Sequence, residues 1–280
     1  MKKIRQAAVA GAFYPGQKQI LQHDVNALLR TALLDNEQPK YTPQSPPKAM
    51  IVPHAGYIYS GKTAAAAYIR LSPFRESIKR VILLGPVHRV PVRGLALPDA
   101  DLFTTPLGDI EVDQSAVEAI KNKPQVLLSA AAHALEHSLE VQLPFLQTVL
   151  ADFKLVPLAV GDATAEEVAD VLNTLWGGEE TLIVISSDLS HFLPYQTAQL
   201  VDSETIHSIM NLSSTLNHQQ ACGGIPVNGL LLAARAHHLK PQLLDLRNSG
   251  DTAGDKDRVV GYASIAFVDN ADAGRVHHDG

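Results

Sequence analysis

The fold of this chain is decided by residues 50–63, which read MIVPHAGYIYSGKT. The short apolar run at the start predicts a buried strand, which ends near His54 and turns through glycine into a helix. Two interpretations compete for this segment. In one, His54 is a metal ligand at the carboxyl end of a central strand. In the other, Gly56 to Thr63 match the phosphate-loop pattern G-x-x-x-x-G-K-T and bind a nucleotide.

The side chains inside that pattern argue against a phosphate loop. A phosphate cradle needs backbone N–H groups that point inward through tight turns, often with positive φ. Tyr57, Ile58 and Tyr59 are aromatic or β-branched and disfavour such turns. We therefore expect His54 to be the functional residue here and Lys62 to be an ordinary residue early in a helix.

Composition and charge limit the function classes. With 280 residues, 46% of them hydrophobic, the chain can bury the core of a large α/β domain. The net charge of -6 and the scattered basic residues argue against a nucleic-acid surface. No apolar run approaches the roughly 20 residues of a membrane helix. The single cysteine, Cys222, favours a reducing compartment, so we expect a cytoplasmic protein.

Predicted strands alternate with predicted helices along the chain, which indicates an α/β fold. We expect one domain over residues 1–270, built on a central mixed, largely parallel β-sheet with helices on both faces. The last two predicted strands are consecutive, which favours antiparallel additions at an edge. The polar residues 271–280 are expected to form a flexible tail.

Three local predictions bear on the functional site. A helix is expected from Lys62 to Leu71, directly after the opening segment. The prolines between Asn36 and Pro47 predict a surface linker. Apolar residues at helical spacing predict a helix from Leu135 to Leu150 with a kink at Pro144.

Three predicted strands end in polar clusters. These clusters contain His54, His88, and Asp188 with His191. If the three strands are neighbours, the side chains converge where the carboxyl ends of strands line a ligand crevice. Two imidazoles with an anionic third ligand can hold a divalent metal and leave positions open for substrate, water or dioxygen. Each histidine alone could be a structural residue, and their recurrence at three strand ends favours a metal site.

Other candidate residues allow two interpretations each. Cys222 is either a small buried hydrophobe or a thiol at the N-terminus of the helix that Pro226 can begin, where a thiolate is favoured. Glu136 and His137 stand at the start of a predicted helix. They are either an acid favoured by the helix dipole beside an exposed histidine, or two proton carriers that point into the site. His133 permits a weaker form of the same argument.

Six motifs occur in a fixed order along the chain. They are AVAGAFYP at 8–15, PHAGY at 53–57 with Ser60-Gly61, GPVH at 85–88, EHSLE at 136–140 with LPF at 143–145, SSDLSH at 186–191 and CGG at 222–224. Over about residues 5–268 the chain resembles the Memo family, whose prokaryotic members are also called AmmeMemoRadiSam system protein B.

This resemblance implies a fold similar to that of class III extradiol, non-haem iron dioxygenases. It places three residues at the metal position of the family, His54, His88 and Cys222, and three more in or beside the same pocket, Asp188, His191 and His137. The dioxygenases use two histidines and a glutamate. Here a cysteine stands where the glutamate is expected, which counts against ring-cleaving chemistry. The resemblance favours Fe(II), while a thiolate ligand also suits Zn and Cu(I).

The leading hypothesis is therefore a metal-dependent oxidoreductase. His191 would act as general acid/base, oriented by Asp188, because a near-neutral pKa suits proton transfer. His137 would contact the substrate or a bound oxygen species. The first alternative is a non-catalytic module that binds a peptide or partner in the same crevice. The second is a metal-dependent hydrolase in which His191 or Glu136 carries the proton from a zinc-activated water.

The resemblance also implies partners. The system name associates the family with a radical-SAM protein and an AMMECR-type domain, and the substrate would be an unidentified small molecule or peptide. No contact with nucleic acid or with a membrane is expected.

Overall fold

The structure is a computed structural model that describes residues 2–35 and 45–269. The helices are α1 (Lys18–Asp35), α2 (Tyr57–Tyr68), α3 (Gln114–Ile120), α4 (Ala130–Ala134), α5 (Leu143–Val149), α6 (Ala165–Thr174), α7 (Tyr195–Met210) and α8 (Gly224–Ala236). The strands are β1 (Ile4–Arg5), β2 (Ala49–Val52), β3 (Arg80–Pro86), β4 (Leu95–Leu97), β5 (Leu102–Thr105), β6 (Gly108–Glu111), β7 (Val126–Leu128), β8 (Lys154–Val160), β9 (Thr181–Ser186), β10 (His191–Leu193), β11 (Lys240–Asn248) and β12 (Val259–Val268). Most of the predicted linker at 36–47 and all of the predicted tail at 271–280 lie outside the described residues.

A mixed sheet forms the centre of the protein, with the strand order β10-β12-β2-β9-β3-β8-β4-β7 and with β11 paired to β12. The middle strands β2, β9, β3 and β8 run parallel to one another. Strand β12 pairs antiparallel with β2, β10 and β11, and β4 pairs antiparallel with β8. The predicted mixed sheet with antiparallel final strands is confirmed. Strands β5 and β6 form an antiparallel pair in a separate small sheet with β1.

Hydrophobic clusters cover both faces of the sheet, and side chains of successive strand residues point to opposite faces. In β3, Val81 and Leu83 join a cluster that includes residues of α1, α2 and α5. Ile82 and Leu84 join the cluster formed with α6 and α8. The prediction of helices on both faces is therefore confirmed. Within the described ranges, no helix is long and apolar enough to cross a membrane.

Helix α2 begins at Tyr57, five residues earlier than predicted, and Gly56 is its N-cap. Tyr57 is buried, and its hydroxyl donates a hydrogen bond to the Val141 carbonyl at 2.7 Å. Most of the phosphate-loop pattern is thus regular helix, without the open turn that would cradle a phosphate. Lys62 lies on the outside, 3.0 Å from the Asp35 carboxylate. The geometry removes the nucleotide interpretation.

The predicted helix from Leu135 to Leu150 is wrong. A turn follows α4, a short 3₁₀ helix covers Glu140–Gln142, and α5 begins only at Leu143. Pro144 stands in the first turn of α5, where its missing N–H leaves no hydrogen bond unmade, so it starts a helix and does not kink one. The non-helical turn that results carries residues 136–138 to the end of the central sheet.

Candidate metal centre

The three strands with polar ends are neighbours, as the prediction required. Strand β9 lies between β2 and β3 and runs parallel to both, so their carboxyl ends meet at one edge of the sheet. His54, His88 and Asp188 each stand two residues beyond the end of one of these strands. The ring centroids of His54 and His88 are 5.3 Å apart.

Two overlapping groups of side chains at this edge could hold a metal ion. His54, His88 and Cys222 offer ligand atoms that all lie within 4.8 Å of one another, and so do His88, Glu136 and His137. The Cys222 Sγ is 3.3 Å from the His54 Nε2. The first group joins two imidazoles and a thiol, a donor set that suits a transition metal.

The hydrogen bonds of Ser186 determine which nitrogen of His54 is available to a metal. Ser186 Oγ donates its proton to the Ser138 carbonyl at 2.6 Å and accepts a bond from Gln142 Nε2 at 2.7 Å. It can therefore only accept from His54 Nδ1, 3.0 Å away. His54 thus carries its proton on Nδ1 and leaves the Nε2 lone pair on the side of Cys222. Burial lowers the pKa of His54 well below its ordinary value, which keeps the ring neutral, as a ligand must be.

Glu136 determines the ring orientation of His88. Its buried carboxylate accepts the His88 backbone N–H at 2.6 Å and lies 2.9 Å from His88 Nδ1. Burial alone would raise the pKa of Glu136, but hydrogen bonds from His137, His88 and Ser138 hold it below its ordinary value. The group is therefore an anionic acceptor for His88 Nδ1–H, which leaves Nε2 for a metal. Such a carboxylate–histidine pair is common behind metal ligands.

Cys222 immediately precedes Gly223, the N-cap of α8, so its expected place at a helix N-terminus is confirmed. The surroundings of Cys222, however, do not favour the thiolate that a helix N-terminus usually stabilises. Burial, and then the charge of Asp188, raise the pKa of Cys222 to about 12 in the metal-free protein. A bound metal would displace the thiol proton. Gly223 allows close approach here, because a Cβ at that position would lie 2.7 Å from the Ser187 Cβ.

Asp188 and His191 both lie at the site, but they are not paired as predicted. Asp188 Oδ1 accepts the backbone N–H of His54 at 2.7 Å. His191 Nδ1 is 2.9 Å from the Leu189 carbonyl, which is close in sequence and orients the ring in place of Asp188. Asp188 is thus a support for the His54 backbone, and its pKa is raised by burial.

His137 packs among the site rings, and His133 does not. The His137 ring lies 4.7 Å from that of His88, 5.4 Å from that of His54 and 4.7 Å from that of Phe13. His133 is buried elsewhere, with Nε2 2.8 Å from the Ala96 carbonyl. The weaker proton-carrier interpretation of His133 therefore has no geometric support.

A cleft of about 720 Å³ opens onto the rings of His88 and His191 and the thiol of Cys222. His88, His191 and Cys222 line its floor, and residues of β10, α7 and the loop before α8 form its walls. The edge of the sheet therefore joins a possible metal site to a space that a ligand can enter.

A family model described as Memo-like protein matches residues 5–266 of this chain. The chain belongs to the Memo family. A MEMO1 family protein of Aquifex aeolicus is 38% identical over 278 residues, which cover 95% of this chain and 100% of that protein. A second, of Archaeoglobus fulgidus, is 36% identical over 284 residues, covering 94% and 99% of the two chains. The family resemblance inferred from the motifs is confirmed.

Among solved structures, an uncharacterized protein of Escherichia coli K12 is similar to this Memo-family chain. The two superpose with a TM-score of 0.49 at 16% sequence identity, over 79% of this chain and 99% of the other.

Two supporting residues of this Memo-family site were missed from the sequence. No local pattern marks Gln142, and the sequence around Glu136 indicates only a helix-start acid or a proton carrier. The informative signal is Gly85 in the GPVH motif, because a Cβ there would lie 2.8 Å from Ser138 Oγ. A glycine that permits a close approach marks the place where another segment packs against the strand end.

Proposed function

We propose that this Memo-family protein binds a divalent metal through His54, His88 and Cys222 and acts as a metal-dependent oxidoreductase. Fe(II) is the favoured metal because of the resemblance to non-haem iron dioxygenases, and the thiol also suits Zn or Cu(I). The main support for the proposal is the hydrogen bonding to the Nδ1 atoms of His54 and His88. Ser186 and Glu136 each engage a histidine Nδ1, which leaves two Nε2 lone pairs beside one thiol.

The chain's own residues have separate roles in this proposal. A bound metal would supply an open coordination position for substrate or dioxygen. His191 lines the cleft, and its Nδ1 is held by the Leu189 carbonyl, so Nε2 is free to accept a proton as general base. Asp188 supports the backbone of His54, and His137 would contact the substrate.

One observation bears on the hydrolytic alternative. Glu136 accepts hydrogen bonds from the backbone N–H groups of His88, His137 and Ser138 as well as from the His88 ring. A carboxylate held in this way is poorly placed to move a proton to and from water. Of the two candidate proton carriers for hydrolysis, Glu136 and His191, only His191 is therefore suitably placed.

The cellular setting is part of the proposal. We place the protein in the cytoplasm because a single cysteine suits a reducing compartment. Action with radical-SAM and AMMECR-type proteins is proposed from the family resemblance alone.

Metal analysis of anaerobically prepared protein tests the site. We expect one Fe(II) per wild-type chain after reconstitution and its loss in His54→Ala and in Cys222→Ser. His23→Ala is the matched control, since His23 is exposed on α1 and far in sequence from the site. A wild-type protein that holds no stoichiometric metal under any reconstitution would leave the binding module as the better hypothesis.

Oxygen consumption by the iron-loaded protein then separates the two catalytic classes. Oxidation predicts uptake with a suitable reductant or catechol and its loss in His191→Ala at unchanged metal content. If zinc binds more tightly than iron and supports ester or amide cleavage, the oxidoreductase proposal is wrong and the hydrolase replaces it.

A further inference from the structure

Phe192 occupies an irregular position in the wall of the cleft. In the antiparallel pair of β10 and β12, His191 lies opposite Val260 and Leu193 opposite Val259, so the register shifts at the residue between them. Phe192 has a φ of 59°, in the left-handed region that bulky side chains rarely adopt. Such bulges often occur beside functional sites, where they redirect a side chain.

The strained backbone does not serve the hydrophobic core. Phe192 is 60% exposed, so its ring buries little surface, and glycine or asparagine would take the same φ at less cost. The Arg258 guanidinium lies over the ring, 5.0 Å from its centroid, and the ring lines the cleft beside His191. The bulge thus presents an aromatic surface, supported by a cation, next to the proposed metal site.

The described residues that line the cleft include no acidic side chain, and their ionisable members other than Cys222 are the histidines His88, His191 and His218. The apolar part of the cleft wall is formed by Phe192, Leu193 and Val201, and its polar part includes the amides Asn217, Gln219 and Gln220. The described lining residues include no aspartate, glutamate, lysine or arginine. A cationic ligand would lose water here without gaining a partner of opposite charge in the wall, and it would lie near the Arg258 guanidinium, which is unfavourable. The amides can instead satisfy both donors and acceptors of a neutral molecule.

From these features we infer that the cleft binds a small molecule without positive charge, whose planar ring stacks on Phe192 and whose polar groups bond to the amides. The cleft volume of about 720 Å³ is in the range of small-molecule sites. The inference rests on the proposed function, because it places the ligand beside His88 and Cys222. Phe192 would then determine which substrates the metal site accepts.

Benzamide and benzamidine are the probes for this inference, since they share a ring and differ in charge at pH 7.5. Ligand-observed NMR titrations would use metal-loaded and metal-free full-length protein. We expect wild type to bind benzamide with a Kd of about 1–10 mM, as its size allows. Benzamidine, which is a cation at this pH, should bind at least about tenfold more weakly. Phe192→Asn should weaken benzamide binding about fivefold, the share expected of an aromatic stack.

Two controls keep the result specific. Asparagine tolerates the left-handed conformation, so Phe192→Asn should not lower the thermal midpoint. Leu34→Asn removes an apolar side chain that is 76% exposed on α1 and should leave binding unchanged. The inference is overturned if benzamide does not bind up to about 20 mM, if benzamidine binds equally well, or if Phe192→Asn binds like wild type. Phe192-dependent binding to a protein that takes up no metal would instead overturn the proposed function alone.

Discussion

Glu136 is the residue on which the orientation of His88 depends, since its carboxylate bonds both the backbone and the ring of that histidine. Glu136→Gln would turn an NH₂ group toward N–H donors and leave some of them unsatisfied. We expect a 10–100-fold loss of metal affinity and a lower thermal midpoint, measured by chelator competition and calorimetry. Glu204→Gln, at an exposed position in α7, should change neither. Unchanged affinity in Glu136→Gln would show that His88 needs no support from it.

His133 should make the protein sensitive to mild acid without any part in metal binding. Burial lowers its pKa from 6.5 to about 4. As the pH falls, His133 is protonated in the unfolded chain before it is protonated in the folded protein. The contribution of His133 to stability is therefore complete above pH 6.5 and is lost as the pH falls toward 4. The loss amounts to about 3 kcal/mol.

Urea unfolding at several pH values tests this effect. The free energy of unfolding of His133→Gln should fall less steeply between pH 6.5 and 4 than that of wild type. Glutamine can still donate to the Ala96 carbonyl, but it does not titrate in this range. His23→Gln, exposed on α1, should follow the wild-type curve. Parallel curves for wild type and His133→Gln would contradict a lowered pKa of His133.

At the scale of elements, the packing of α8 on α6 controls where Cys222 lies, because α8 begins two residues after it. A Cβ at Gly229 of α8 would lie 2.3 Å from the Val168 Cγ1 of α6. Gly229→Ala should therefore destabilise the protein by about 1–3 kcal/mol despite the better helix propensity of alanine. In the double variant Gly229→Ala/Val168→Ala the two losses should not add. Additive losses in denaturant unfolding would show that the helices do not meet as described.

The elements were largely predictable where a single physical signal dominated. The bounds of β2 agree with its apolar run, and α6 begins at the Thr164–Glu167 capping box, whose residue spacing is visible in the sequence. Prediction failed at Pro144, because an isolated proline is compatible with a kink or with a first turn. Only the folded turn around Glu136, with its buried carboxylate, decides between the two.

At the scale of the whole molecule, Arg5 ties the N-terminal strand to the site. Its buried guanidinium pairs with Glu140 and donates to the carbonyls of His133 and Glu136 at 3.0 and 2.7 Å. Arg5→Leu would leave a buried carboxylate unpaired and should destabilise the protein by about 3–5 kcal/mol. It should also weaken metal binding by loosening the turn at Glu136.

Lys2→Leu is the matched control for Arg5→Leu, since it removes an exposed pair with Glu111 in the same segment. That change should have little effect on the thermal midpoint. Equal effects of the two variants would mean that the buried pair has no special role.

How the site assembles was only partly predictable. The clusters at His54, His88 and Asp188 could be predicted because each follows an apolar strand. The order of those strands in the sheet could not be predicted, since sequence order does not determine which strands are neighbours. The place of Cys222 opposite His54 came from family resemblance. The Ser186–Gln142 hydrogen bond, which fixes the ring of His54, joins residues 44 apart and left no local pattern.

The distance along the chain between His54 and Cys222, 168 residues, has a consequence for biosynthesis. A ribosome that adds about 5–20 residues per second exposes both histidines long before the thiol. Until residues 181–186 have been synthesised, β2 also lacks β9, its partner in the finished sheet. A nascent chain can therefore offer an incoming ion only part of its donor set. If the protein binds a metal as proposed, the metal is loaded after translation, so the supply of the ion in the cell, and not the rate of synthesis, determines the fraction of molecules that hold it.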